Sequence, residues 1–187
     1  MAVPTRCQCL QLMQKRCMPQ HIQNHSILVA KLALHLGRLL SSNGTRLDAR
    51  VLEAGGLLHD IAKAESLCNG ARHERLGAKV LHDLDYLQLA HIVHDHVSID
   101  LIRLNGPLTE SLIINYADKR VKHDCIVTLE DRFLDLIRRY ARSTEQEVHL
   151  RRRWDLYRTL ERKIFDRLTI EPDAMELMQL SLNSSPY

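Results

Sequence analysis

The sequence places eleven histidines among 187 residues. That is a high density for a side chain that titrates near neutrality and binds transition metals. The most pointed arrangement is His59-Asp60, with Lys63 one helical turn further on. A neutral ring nitrogen next to an anionic oxygen is a standard pairing for a divalent cation, although the dipeptide alone occurs often by chance. His25, His96 and Asp118 are further candidates on separate segments. Cys7-x-Cys9 with Cys17 could be imagined as a thiolate site, but no second pair completes a four-ligand set. Small residues on a short amphipathic helix explain these cysteines better. No Gly-rich phosphate loop, GxSxG elbow or GxGxxG fingerprint occurs.

The elements that would position these residues read as helices almost everywhere, and no window alternates with period two. A short helix follows Pro4-Thr5 to about Arg16, and Pro19 opens a second to about Ser41. Asp48 caps a third, expected to run through Lys63. Helices over Arg72–Leu84, Tyr86–Val97, Thr109–Asp124, Thr128–Ala141, Glu145–Leu168 and Pro172–Leu180 complete an all-α fold of eight or nine helices. Asn105-Gly106-Pro107 is the clearest break, and the tail 183–187 is expected to fray.

Helical arithmetic at about 100° per residue assigns each candidate a face. His25 falls within the stripe of Ile22, Leu28, Val29, Leu32, Leu36 and Leu39, with Gln23, Lys31 and Arg38 opposite. His59 and Asp60 flank the stripe of Val51, Ala54, Leu58, Ile61 and Ala62. Gly55-Gly56 just before them costs about 1 kcal/mol per residue against alanine, which close approach of another backbone would justify. His96 shares an arc with Leu89, Ile92 and Val93, whereas His91 falls on the polar side and His94 at the edge. Asp118 borders the stripe of Ile114, Ala117 and Val121. Separately, a hydrogen-bonded core histidine or a surface ion pair explains each. As a set, one shared metal accounts for all of them.

Composition bounds the remainder. Apolar residues make up 45% and charged residues 26%, as in an ordinary globular chain. Five cysteines without framework spacing suit a reducing cytoplasm, and no apolar run approaches the roughly 18 residues that would span a bilayer. Secreted, membrane-spanning and collagen-like classes are excluded. The net charge of +3 is no global nucleic-acid footprint. The arginines of Arg138–Arg167, including Arg151-Arg152-Arg153, interleave with Glu145, Glu147, Asp155, Glu161 and Asp166, which reads as a solvated helix face. Val148, Leu150, Trp154, Tyr157, Leu160, Ile164 and Leu168 would bury against the core or against a second subunit in a homodimer.

The ordered pattern His25, His59-Asp60-Ile61-Ala62-Lys63, His73-x-x-x-Gly77-Ala78, His96 and Ala117-Asp118 resembles the HD-domain superfamily of metal-dependent phosphohydrolases. The similarity covers about Pro19 to Cys125 and is closest in style to small bacterial members, including HD-type dinucleoside tetraphosphate hydrolases. Ala62 stands where glycine is commoner, and the stretch after Asp118 differs from those hydrolases, so substrate identity does not transfer.

The resemblance implies an HD-domain helical bundle over residues 1–126 and a helical extension over 127–187 packed on it. It also implies a first metal on His25, His59, Asp60 and Asp118. A second would use Asp60 as a bridge and add His73 and His96. Several imidazoles suit iron, manganese, cobalt, nickel or zinc better than magnesium. The implied reaction is hydrolysis of a phosphate ester or anhydride in a small molecule, a nucleotide above all. A metal there lowers the pKa of bound water and supplies hydroxide as nucleophile. Asp60 and Lys63 are the expected catalytic residues, and Lys63, Arg72, Lys119 and Lys122 the expected phosphate-binding cations. The alternatives are a di-iron oxygenase of the same family, or a non-catalytic nucleotide-sensing or partner-binding module.

Overall fold

Side-chain caps start six of the helices. Thr5, Asp48, Asp100, Thr109, Thr128 and Ser143 each accept a backbone N–H from the first turn that follows. The computed structural model describes residues 2–183. Its order is α1 (Arg6–Lys15), α2 (Gln20–Ser42), α3 (Ala49–Leu58), α4 (Lys63–Asn69), α5 (His73–Asp83), α6 (Leu87–Asp95), α7 (Leu101–Asn105) and α8 (Glu110–Arg120). A two-stranded antiparallel hairpin, β1 (Val121–Lys122) and β2 (Cys125–Ile126), precedes α9 (Leu129–Tyr140), α10 (Thr144–Phe165) and α11 (Met175–Met178).

The fold is thus all-α, with eleven helical segments among the described residues rather than eight or nine. The Asp48-capped helix stops at Leu58 instead of Lys63, and α8 stops at Arg120 instead of near Asp124. The short α7 occupies a stretch for which the sequence suggests no helix, just before the Asn105-Gly106-Pro107 break. The expected frayed tail lies mostly outside the described residues. Among those residues no helix is long and apolar enough to cross a membrane.

The long α2 forms the centre, packed on α3 and α8, while α5 pairs with α6 and α9 and α10 lean on α8. Gly56 sits where α3 crosses α2, and a Cβ there would stand 2.5 Å from the Ala30 Cα. Close backbone approach is therefore the reason for this helical glycine. Tyr157, Leu160 and Ile164 of α10 join the same apolar cluster as the α2 leucines, and Phe133 stacks on Trp154 with ring centroids 5.9 Å apart. Lys31, expected on the polar side of α2, is buried instead. Its ammonium donates to the Ser181 and Leu182 carbonyls at 2.9 and 2.7 Å.

Candidate metal centre

Two helix ends supply two of the imidazoles by the same local device. Past Leu58 the chain tightens into i→i−3 turns, Ile61 N–H to Leu58 O and Lys63 N–H to Asp60 O, both 3.0 Å. His59 Nδ1 meets the Gly56 carbonyl at 2.8 Å, the oxygen that an unbroken α-helix would offer to the Asp60 N–H. At the end of α6, His96 Nδ1 likewise meets the Val93 carbonyl at 2.6 Å. A carbonyl only accepts, so Nδ1 carries the proton in both rings and, in the neutral ring, Nε2 is left a bare lone pair. Competition between a side chain and the helix backbone thus ends α3 and orients the ring.

The Nε2 atoms converge on two carboxylates. His25, in the second turn of α2, lies 3.0 Å from Asp118 Oδ1, and His59 Nε2 lies 3.7 Å from the same oxygen. Asp60 presents Oδ2 to His59 at 3.4 Å, and Oδ1 to His73 and His96 at 3.4 and 3.6 Å. His73, which opens α5, brings Nε2 to 3.2 Å from that of His96. Two donor groups result, His25–His59–Asp118 and Asp60–His73–His96, each with its ligand atoms within 4.8 Å of one another. His59, Asp60, His96 and Asp118 are buried, and His25 and His73 partly so. His91 is exposed, as its helical angle requires, and His94, at the edge of the arc, is exposed as well.

Burial by itself would raise the Asp60 carboxyl. The adjacent His59 and His96 rings and the Lys63 ammonium outweigh it and hold the group well below the usual carboxylate range. Asp118 behaves alike, with Lys119, His25 and His59 overcoming its burial. Burial lowers the His73 imidazole more than the nearby Asp60 raises it. Both carboxylates are therefore anionic and His73 favours its neutral form.

These donors fit a divalent cation. His59 Nε2 and Asp60 Oδ1 are buried with no hydrogen-bond partner, and separations of 3.4 to 3.7 Å are too long for a good hydrogen bond. Lone pairs facing carboxylate oxygens without a proton between them repel, and a positive ion among them reverses the sign. The cysteines offer no rival: burial, with Glu53 nearby, pushes the Cys9 thiol up to about 12, and Cys7 and Cys17 are exposed.

The expected phosphate-binding cations part company. Lys63 Nζ sits 2.6 Å from Asp60 Oδ2 and lines a pocket of about 420 Å³ that opens onto His25 and Asp60. Lys119 is buried against Asp118, Lys122 lies 3.0 Å from Asp135, and Arg72 pairs with Glu74 beside a separate depression next to His73. The residues that complete the 420 Å³ pocket include His123, Arg132, Arg139 and Tyr140. None was singled out as binding from sequence. Arg139 stood within the charged stretch read as a solvated face, and the hairpin carrying His123 is too short to show a period.

The sequence profile of the HD domain matches residues 22–168, well over half of the chain. The protein belongs to the HD-domain family, whose members are generally metal-dependent phosphohydrolases. A protein of Methanocaldococcus jannaschii, itself described as uncharacterized, is 28% identical over 120 residues, covering 61% of this chain and 69% of that relative. No solved structure matches the chain significantly.

Proposed function

We propose that the protein hydrolyses a phosphate ester or anhydride of a nucleotide with iron, manganese, cobalt, nickel or zinc at the two donor groups. The observation that carries this reading is Asp60, which turns one oxygen toward each group at the floor of a pocket lined by cationic side chains. A divalent ion there supplies Lewis acidity and a water whose pKa falls toward neutrality. His25, His59 and Asp118 would hold one ion and His73 and His96 a second, with Asp60 offering an oxygen to each. Lys63 offsets charge on Asp60 in the resting site and stands at the pocket wall, where it can shift onto a phosphoryl oxygen. Lys119 does the same for Asp118 from within the protein. Tyr140 is 60% exposed on the same pocket, an apolar ring available to a nucleobase. Residues 127–187 act in this reading as an extension of the HD core that closes one side of the pocket.

The test is a screen of phosphomonoesters, nucleotides and dinucleotides against protein loaded with each metal in turn. Turnover with a redox-silent ion supports hydrolysis. Loaded protein that turns over none of the panel overturns the reading, and a redox-active iron pair by electron paramagnetic resonance would direct the site to oxygenation instead.

A further inference from the structure

Three cations of the hairpin and α9 gather on a single carboxylate behind the 420 Å³ pocket, two of them lining it. Asp135 lies 3.0 Å from Lys122 Nζ, 3.1 Å from Arg139 Nε and 3.6 Å from Arg132 Nη1. One negative charge cannot balance three positive ones, so a surplus remains. Two of the three, Arg132 and Arg139, line the pocket together with Lys63, and repulsion from Arg132 is felt at the Lys63 ammonium. Arg139 Nη2 also meets His123 Nε2 at 3.2 Å, while Asp124 is the acid on that rim. Arg132 Nε and Asp135 Oδ2 are both buried without a hydrogen-bond partner, so the carboxylate does not close the cluster on itself. Clustered guanidinium groups with an unspent donor cost stability unless an anion joins them. Planar guanidinium forks match phosphate oxygens two at a time.

We propose that Arg132 and Arg139 form a subsite for a second, non-scissile phosphate, so that the protein selects substrates carrying at least two phosphate groups over simple monophosphate esters. The position of the scissile phosphate rests on the hydrolase reading above, but the anion subsite does not. Asp135 is the positioning residue: it holds both arginines along α9.

The probe is tripolyphosphate, with orthophosphate as reference, titrated calorimetrically into the full-length chain after chelation of metal and at fixed ionic strength. Tripolyphosphate is expected to bind at least tenfold more tightly than orthophosphate. Arg139→Gln and Arg132→Gln should each weaken it tenfold or more, and Arg151→Gln on the exposed face of α10 should change it less than twofold. Arg139 is the more exposed of the pair, so its variant keeps the test alive if Arg132→Gln fails to fold by circular dichroism. Equal affinity for the two anions, unaltered binding by Arg139→Gln, or an equal loss in Arg151→Gln overturns the proposal. The two readings fail separately. Arginine-dependent tripolyphosphate binding in a protein that turns over nothing leaves the subsite and removes the hydrolase. Turnover whose KM for polyphosphorylated substrates is indifferent to Arg139→Gln does the reverse.

Discussion

Asp60 is the residue on which both donor groups depend, because its two oxygens face different imidazoles. Asp60→Ala is expected to remove metal and activity together. His96→Ala should lower the metal content per chain while sparing the His25–His59–Asp118 position, and exposed His91→Ala should change neither. Elemental analysis beside a rate assay checks all three, and loss of metal in His91→Ala would refute the arrangement. Asp135 allows a prediction about acid. Burial would raise its carboxyl, but the Lys122 hydrogen bond and the charges of Arg139 and Arg132 hold it below the ordinary value. The unfolded chain then binds the proton more readily than the folded one. The stabilisation is complete above the unfolded pKa of about 3.9 and disappears as pH falls through the folded value. Asp135→Asn should flatten the fall in melting temperature between about pH 5 and pH 3, and an unchanged acid slope would show that this cluster does not couple to folding.

At the scale of the elements, the α2–α3 crossing sets the spacing between His25 and His59. Gly56→Ala would drive a methyl to 2.5 Å from the Ala30 backbone, where no side chain can rotate away. The expected loss is about 1–3 kcal/mol of stability, read by denaturant melts. Metal affinity should fall further than that loss implies, since the helices must separate. A variant as stable as the parent with unchanged metal affinity would mean the crossing has slack. The glycine was legible in the sequence because a helix interior tolerates it only with cause, and the apolar stripes placed His25, His96 and Asp118 inward because periodicity is a property of whole helices. The stop at Leu58 was not legible, since it depends on a side chain taking a backbone acceptor. Nor was the burial of Lys31, which needs carbonyls 150 and 151 residues away. Arg139 escaped for a related reason, since charge at helical spacing reads as a solvated face, and no motif in the sequence ties Arg132 to the site.

For the molecule as a whole, the donors come from residues as far apart as His25 and Asp118, carried on α2, the α3–α4 turn, α5, the end of α6 and α8. Only the folded chain brings them within reach of one another. A divalent ion should therefore raise the melting temperature, by about 2.7 kcal/mol of added stability at a free concentration one hundred times its Kd. Scanning fluorimetry across buffered metal concentrations, with chelator as zero, measures this, and a flat response from protein shown to bind the ion would sink it. This dispersal of ligands along the chain makes folding and metal supply a single thermodynamic variable. A cell or a buffer starved of the ion would then hold less native protein as well as less active protein. Variants ranked by heat resistance would change order with the trace metal in the tube, unless free ion is clamped at one value throughout.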